Sequence, residues 1–308
     1  MTQSAPARRM KLGLIPSIDE ASVNGQTPRY RDLQDTAQAA EQAGFDSLWL
    51  ADHLIFRFPG KDEQGCWEVF TFLSALAAVT SRMQLGPLVA CTSFRNPTLI
   101  AKMADSLDEI SNGRFILGLG AGWHEPEYRA FGYPFDHLAS RFEEALHIIL
   151  PLLREGHVDF EGKYYQAREA VLRPRGPSKA GPPILIGARR PRLLELTARY
   201  ADAWNTTAWT LGADHVASKY PDLLEACQKV GRDPATIEFT AAVGARLLAP
   251  GESKPANAPE ITGTPEEVAD MLRKFIAIGV KHLIVAVEPE GVVGVGRFAR
   301  VIERLDQG

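Results

Sequence analysis

Eight short apolar segments recur along this chain, and each is followed by a segment with the periodicity of a helix. Short apolar runs that alternate with helices are typical of βα units built around a parallel sheet. Eight such units predict an α/β protein with a closed (β/α)8 TIM barrel, and an open doubly wound sheet is the alternative. The predicted strands are Lys11–Pro16, Ser47–Leu50, Met83–Val89, Phe115–Leu119, Ile184–Ile186, Ala203–Thr206, Ile237–Leu248 and Lys281–Val287.

Three helix starts are marked by a capping residue followed by proline, which is favoured at the first helical position. They are Thr27-Pro28, Asn96-Pro97 and Thr264-Pro265. The first of these helices is predicted to end at Gly44, because glycine is the commonest residue just beyond a helix. A further helix is predicted from His215 to Val230.

The regular alternation is interrupted once, after the fourth predicted helix, Leu138 to Arg154. The segment from Val158 to Tyr165 predicts a small hairpin insertion there, and a loop rich in proline and glycine follows it. No linker separates two apolar cores. Residues 1–308 are therefore predicted to form a single domain.

The composition favours a small-molecule partner. The chain has 34 basic and 38 acidic residues, a net charge of −4, and no block of like charge that would indicate nucleic acid or membrane.

Three scattered cysteines, Cys66, Cys91 and Cys227, fit a reducing compartment better than a disulfide framework. The first ten residues lack the apolar stretch of a secretory signal. We therefore expect a cytoplasmic protein.

Three alternating glycines, Gly118, Gly120 and Gly122, close the fourth predicted strand. Glycine weakens a strand interior, so their clustering predicts a flat ligand or another backbone against the main chain. The alternative is a tight barrel corner without a ligand. The stretch is not a dinucleotide fingerprint, because Trp123 stands where the third glycine of that motif is required.

The active site of a barrel lies at the carboxyl ends of its strands. Those positions supply too few carboxylates and imidazoles for a metal, and no lysine for a Schiff base. They supply glycines and aromatic rings instead, which suits an organic cofactor that brings its own reactivity.

Two of these strand ends carry side chains suited to such a cofactor. Asp52 could accept hydrogen bonds from ring N–H groups, and His53 could exchange a proton near neutral pH. Gly187 to Pro191 offers free N–H groups and two arginines at a helix start, which favours a phosphate. The alternatives are a structural aspartate beside a half-buried histidine, and two solvated arginines.

The chain resembles the bacterial luciferase-like family of flavin and deazaflavin oxidoreductases over nearly all of its length. The resemblance implies a TIM barrel, a homodimer, and either reduced FMN or the deazaflavin coenzyme F420. The compact length and the segment GLGAGWHEPEY are more similar to the F420-dependent branch. The matching segments are Ala39–Trp49, Ala51–His53, Arg95–Pro97, Leu107–Phe115, Gly118–Trp123 and Tyr200–Asn205.

The resemblance also implies which residues contact F420. Asp52 would contact the deazaflavin ring, and His53 would handle a proton. A strand bulge, often a non-proline cis peptide in this family, would fall at Leu88–Val89. The other contacts implied are Cys91 just beyond the bulge, Ala121 and Gly122 along the ring, and Gly187, Ala188 and Arg189 at the phosphate tail.

The sequence departs from the sugar-phosphate dehydrogenases of this branch at two positions. Trp123 stands where they have a catalytic carboxylate, and Arg57 stands where they have a tryptophan. Sugar-phosphate oxidation is therefore not expected, although Glu125 or Glu127 could replace the carboxylate.

The expected activity is hydride transfer between C5 of F420 and a small organic substrate, with His53 exchanging a proton. The alternative is an FMNH2-dependent monooxygenase that uses O2. A metal-dependent sugar isomerase or hydrolase barrel and a non-catalytic flavin-binding protein are weaker alternatives.

Overall fold

The computed structural model describes residues 8–23 and 25–307. Most of its strands are short, four to seven residues, and buried. The strands in chain order are β1 (Lys11–Leu14), β2 (Ser47–Leu50), β3 (Ile55–Phe56), β4 (Gln64–Gly65), β5 (Gln84–Pro87), β6 (Ala90–Cys91), β7 (Leu117–Gly120), β8 (His157–Glu161), β9 (Gln166–Val171), β10 (Ile184–Gly187), β11 (Ala203–Ala208), β12 (Glu238–Leu247), β13 (Ile261–Gly263) and β14 (His282–Glu288).

Helices pack around the outside of the sheet. In chain order they are α1 (Tyr30–Ala43), α2 (Val69–Val79), α3 (Pro97–Ile110), α4 (Glu125–Phe131), α5 (Leu138–Glu155), α6 (Pro191–Tyr200), α7 (Ala213–Ala217), α8 (Tyr220–Val230), α9 (Pro265–Ala277) and α10 (Gly291–Asp306). Two short 3-10 turns, Thr92–Phe94 and Pro234–Thr236, complete the regular structure. Within the described residues, none of these helices has the length and apolar character needed to span a bilayer.

Nine parallel strands form the central sheet in the order β5-β2-β1-β14-β12-β11-β10-β7-β6. The two ends of this path meet, because Leu85 on β5 forms a parallel bridge with Phe115, just before β7. The amide of Ile116 donates to the carbonyl of Leu85 at 2.8 Å. Strands β5 and β6 are separated by Leu88 and Val89 and together occupy one strand position of the barrel. Each such strand position is called a stave below, and this one is the third in chain order. Eight staves therefore close a ring, which confirms the predicted barrel and excludes the open sheet.

Several helix signals are confirmed and two are wrong. Gly44 ends α1 in the left-handed conformation, and Asn96 caps α3. The helix α1 nevertheless begins at Tyr30 rather than at Thr27-Pro28, because the Asp32 carboxylate accepts from the Arg29 amide and sets the first turn there.

The predicted helix from His215 to Val230 is wrong, because it is divided into α7 and α8. Pro221 explains the break. Its ring would clash with the carbonyl of Ala217 inside a continuous helix, and it has no N–H to donate to that carbonyl. Proline is tolerated in the first turn of α8, where the chain places it.

A plug of apolar side chains fills the barrel interior. It consists of Ile15, Trp49, Ile116, Leu185, Ala242 and Ile284. Leu88, Val89 and Ala286 lie against this plug and keep part of their surface exposed. A ligand of the barrel must therefore sit at the carboxyl ends of the strands, above these residues.

Two antiparallel pairs stand apart from the barrel. Strands β3 and β4 form a ribbon after β2, and helix α4 packs beside β3. Strands β8 and β9 form the second pair after α5, with a shift in register between Val158 and Phe160. The first pair matters for function, because it lies next to Asp52 and His53.

Candidate active site

His53 forms a buried pair with Glu127 from helix α4. Its Nδ1 lies 3.0 Å from Oε1 of Glu127, and the other carboxylate oxygen accepts from the amide of Leu54 at 2.9 Å. The Glu127 side chain is 2% exposed and the His53 side chain 17% exposed. The second ring nitrogen of His53 has no hydrogen-bond partner in the part of the chain that the structure describes. One edge of the imidazole is thus held by protein and the other is available.

His124 lies beside this pair and has a different role. Its Nε2 accepts a hydrogen bond from the amide of Arg57 at 3.1 Å. Burial lowers the pKa of His124. A neutral imidazole that accepts at Nε2 anchors the ribbon formed by β3 and β4, so His124 is a structural acceptor rather than a proton donor.

Asp52 is held by three hydrogen bonds from two protein groups. Its carboxylate accepts two hydrogen bonds from the Arg95 guanidinium, at 2.7 and 2.9 Å, and one from the amide of Cys91 at 2.9 Å. Arg95 also bonds Glu68, the capping residue of α2. The Asp52 side chain is 1% exposed. Oδ1 accepts only one of these bonds and so keeps an acceptor site, although the side chain is nearly buried.

The peptide between Leu88 and Val89 is cis, which confirms the bulge predicted for this position. Val89 fills the space left by the neighbouring glycines. A Cβ atom at Gly120 would lie 2.6 Å from Cγ2 of Val89, and one at Gly187 would lie 3.2 Å from the same atom. At Gly118 it would collide with the carbonyl oxygen of Pro87.

These contacts correct the interpretation of the glycine-rich strand. Gly118 and Gly120 lack side chains because the third stave of the barrel lies against them. Close approach of another backbone was one of the two explanations that the sequence allowed for these glycines. Gly122 is required for a different reason. Its φ is +81°, and a Cβ there would overlap the hydroxyl of Tyr128.

The surface that remains accessible beside the cis peptide is smaller than the three glycines of the fourth predicted strand would have provided. It is formed by partly exposed residues from three neighbouring staves: Leu88, Val89, Gly122 and Gly187. This patch is mostly apolar main chain and aliphatic side chain, which suits one face of a planar ring.

Cys91 and Tyr128 hold the main chain behind that patch. The Cys91 sulfur lies 2.9 Å from the Tyr128 hydroxyl, which donates to the carbonyl of Ala121 at 3.0 Å. Burial raises the pKa of Cys91 to about 12 and also raises that of Tyr128. Both groups are therefore neutral near pH 7. They position Ala121 rather than react.

The predicted phosphate seat lies at the entrance of α6. Ala188 is buried, and its carbonyl accepts from the Trp204 indole at 2.9 Å. Arg189 is exposed and contacts the hydroxyl of Thr207, and Arg190 is the exposed N-cap of the helix. Because Gly187 touches Val89, this seat is continuous with the patch beside the cis peptide.

Three functional features were not predicted. The short helix α4, which places Glu127 against His53, was missed because seven residues give little periodicity. Phe56 lies beside His53 and Phe58 stacks on Phe56, and neither had a signal in the sequence. Glu290 follows β14 at the same end of the barrel, and burial raises the pKa of its carboxyl to about 7.

The described residues contain no cluster of three histidine, cysteine, aspartate or glutamate side chains able to hold a metal ion. The polar groups at the strand ends instead form pairs with defined partners. The arrangement can therefore exchange a proton at His53 beside a flat apolar surface, with cationic side chains at one end of that surface.

Comparisons with known proteins agree with this geometry. Residues 10–254 match the model of the luciferase-like monooxygenase family. The chain is 32% identical over 221 residues to an F420-dependent glucose-6-phosphate dehydrogenase of Amycolatopsis mediterranei, covering 68% of this chain and 64% of that one. It is 38% identical over 172 residues to the pyrimidine monooxygenase RutA of Methylorubrum extorquens, covering 53% of this chain and 46% of that one. Both matches span less than two thirds of the relative.

A solved structure shows the same fold. An F420-dependent secondary alcohol dehydrogenase in complex with an F420-acetone adduct aligns with a TM-score of 0.80 at 19% identity, covering 96% of this chain and 99% of that one. The relatives include both dehydrogenases and monooxygenases. The barrel, the cis peptide at the third stave and the match over residues 10–254 together place this chain in the luciferase-like monooxygenase family.

Proposed function

We propose that this protein is an F420-dependent oxidoreductase that transfers a hydride between C5 of the deazaflavin and a small organic substrate. The observation that carries the proposal is the buried His53–Glu127 pair, which leaves one imidazole nitrogen available beside an apolar patch. A hydride transfer to or from an alcohol or carbonyl also needs a proton acceptor or donor, and His53 supplies that group.

The residues at the strand ends fit such a cofactor. The partly exposed patch of Leu88, Val89, Gly122 and Gly187 would meet one face of the ring. Ala121, Ala188 and Cys91 are buried, so they would contribute through the main chain next to that patch. Arg189, exposed at the entrance of α6, would meet the phosphate tail. When bound, F420 would supply the carbon that gives or takes the hydride.

Asp52 has an indirect role in this proposal. Its three hydrogen bonds fix Arg95 and the amide of Cys91, and so hold the chain just beyond the cis peptide. The proton-handling residue follows it directly in sequence. Asp52 thereby positions His53 as well as the strand end, even without touching the ring.

The residues of the chain would handle the proton as follows. Glu127 accepts from Nδ1 of His53, which leaves Nε2 to take a proton from a substrate hydroxyl or return one to a carbonyl. The ribbon of β3 and β4 and the helix α4 flank this imidazole, because the amides of Leu54 and Arg57 bond the side chains of Glu127 and His124.

A paired titration tests the cofactor. Purified protein is titrated with F420 and, separately, with reduced FMN under anaerobic conditions, and binding is followed by quenching of the protein's tryptophan fluorescence. Saturable binding of F420, tighter than that of reduced FMN, is the expected result. Tight binding of reduced FMN with no binding of F420 would overturn the proposal.

The second candidate function is an FMNH2-dependent monooxygenase. The observation in its favour is the similarity to pyrimidine monooxygenase RutA at 38% identity. Oxygen separates the two functions. Product formation that requires O2 and reduced FMN would support the monooxygenase, whereas turnover that continues without oxygen supports the F420-dependent reaction.

A further inference from the structure

Three aromatic side chains form a wall next to His53. The ring of Phe56 lies 4.4 Å from the His53 ring, and that of Trp123 lies 5.6 Å from it on another side. Phe58 stacks on Phe56 at 5.8 Å and on Trp123 at 6.4 Å, with interplanar angles of 16° and 25°. These spacings are those of aromatic rings in direct contact. Phe56, Phe58 and Trp123 therefore form one continuous surface, called the aromatic wall below.

The aromatic wall remains accessible to solvent. Trp123 is 60% exposed and Phe58 is 40% exposed, although both are large and apolar. Clustered apolar surface next to a reactive group is characteristic of a ligand-binding groove, whereas single exposed apolar residues are common anywhere. Because Phe56 and Trp123 contact the His53 ring, a ligand lying on the wall would be next to the imidazole.

The charged groups near the wall already have partners. The Arg57 guanidinium pairs with Glu63 at 2.9 Å, and the Glu127 carboxylate is occupied by His53 and Leu54. The ammonium group of Lys61 lies over the face of Phe58, 5.8 Å from the ring centre, at the outer edge of the wall. A phosphate on the substrate would meet no buried cation here. The surface favours a neutral ring.

We propose that the substrate carries an uncharged aromatic ring, which stacks against Trp123 and Phe58 and brings its reactive group to His53. This inference rests on the proposed function for the identity of the reaction, but the binding site is defined by the wall alone. Aromatic rings recognise one another through offset or edge contacts that aliphatic rings of the same size make less well.

The test uses acetophenone as a neutral aromatic probe, cyclohexyl methyl ketone as an aliphatic ring of similar shape, and glucose 6-phosphate as an anionic probe. Dissociation constants are measured by ligand-observed NMR, with and without F420. Acetophenone is expected to bind more tightly than both other probes. Trp123→Ala should weaken acetophenone binding about three- to tenfold, the range expected for loss of an aromatic pair.

Trp67→Ala is the matched control. Trp67 is 42% exposed and stacks on Phe72, and among the described residues its ring makes no contact with the rings of the wall. Acetophenone binding should be unchanged in that variant, and thermal unfolding of both variants reports whether they are folded. Phe58→Leu is a second, milder variant of the wall, expected to weaken acetophenone more than cyclohexyl methyl ketone.

Two outcomes would overturn the inference: equal binding of the aromatic and aliphatic ketones, or tighter binding of glucose 6-phosphate. Failure of the proposed function is distinguishable from both. If F420 does not bind but acetophenone binds in a Trp123-dependent manner, the aromatic binding site is supported and the proposed cofactor is wrong. If F420 binds and the preference for an aromatic ring is absent, the proposed cofactor is supported and the proposed substrate class is wrong.

Discussion

Nδ1 of His53 donates to a carboxylate oxygen of Glu127 at 3.0 Å, although the two residues are 74 positions apart in the chain. His53 follows strand β2 and Glu127 lies in helix α4, so only the closed barrel brings them together. A carboxylate can only accept hydrogen bonds. The pair therefore fixes the proton of a neutral His53 ring on Nδ1 and leaves Nε2 as the acceptor.

Replacement of Glu127 tests this arrangement. Glu127→Gln retains the shape of the side chain but has a single acceptor oxygen, which cannot serve both His53 and the Leu54 amide. We expect turnover of an F420-dependent reaction to fall about ten- to a hundredfold, since orientation of a general acid–base residue is lost. The measurement is kcat and KM of the variant, together with nitrogen NMR of the imidazole to report its tautomer.

Glu125→Gln is the control for that experiment. Glu125 lies two residues earlier in the same helix, is exposed, and forms an ion pair with Arg129. Its replacement should leave turnover and the His53 tautomer unchanged. An unaltered imidazole spectrum in Glu127→Gln would show that the carboxylate does not position His53.

Asp52→Asn is predicted to destabilise the protein. The change leaves the nearly buried Arg95 with the half-exposed Glu68 as its remaining anionic partner. Removing one member of a buried ion pair is costly, and we expect the free energy of unfolding to fall by about 2–3 kcal/mol. Urea denaturation measures this loss. An exposed ion pair contributes at most about 1 kcal/mol to the free energy of unfolding. A smaller loss than that in Asp52→Asn would indicate that Asp52 is not needed for stability.

Gly122→Ala is predicted to be more harmful than an alanine at another glycine of the same conformation. A Cβ at Gly122 would overlap the Tyr128 hydroxyl and lie 2.8 Å from the Cys91 sulfur. Gly132, with φ +79°, has no atom within 4 Å of its Cβ position. Gly132→Ala should cost about 1 kcal/mol of unfolding free energy, and Gly122→Ala about 2–4 kcal/mol.

Removal of the Tyr128 hydroxyl provides the complementary measurement. Tyr128→Phe combined with Gly122→Ala should recover part of the stability lost in the single glycine variant, because the overlapping atom is gone. The recovery is a coupling energy from a double-mutant cycle. Strict additivity of the two changes would contradict the proposed clash.

Glu290 is predicted to make stability depend on pH. Burial raises the pKa of its carboxyl from 4.5 to about 7, despite the bond that it accepts from the Ser17 amide at 3.4 Å. Between these two pKa values the folded state thus binds more protons than the unfolded state. The stabilisation by the protonated Glu290 carboxyl is therefore fully present below about pH 4.5 and is lost as the pH rises through 7.

Glu290→Gln should remove this dependence. The difference in unfolding free energy between about pH 5 and about pH 8 should narrow by about 1–2 kcal/mol, allowing for partial solvent screening. Glu303→Gln, on the exposed face of the same helix, should leave the pH profile unchanged. Identical profiles for the wild-type protein and Glu290→Gln would contradict the assignment.

Local sequence signals predicted much of the fold. The eight apolar segments became eight staves, and Asn96 and Thr264 cap the helices that follow them. These features depend on neighbours in sequence, where periodicity and side-chain capping act. The helix start predicted at Thr27-Pro28 was wrong for an equally local reason. The carboxylate of Asp32, a few residues further on, accepts from the Arg29 amide and forms a competing cap.

The site was predicted in position but not in its contacts. The sequence placed Asp52, His53 and the cis peptide at the strand ends, partly through the family resemblance. It did not indicate that Arg95 holds Asp52 or that Val89 fills the space beside Gly120 and Gly187. Those partners come from other staves, and no periodicity along one segment encodes them.

The order of apolar strands and helices by itself determined a parallel sheet of eight strands buried on both faces, whereas the bridge between Leu85 and Phe115 decided that the sheet closes into a barrel. Which groups meet at the mouth was decided by the tertiary structure. A seven-residue helix too short to predict puts Glu127 against His53, and a two-stranded ribbon adds Phe56 and Phe58. Contacts of this kind depend on distances of a few ångströms between segments far apart in sequence.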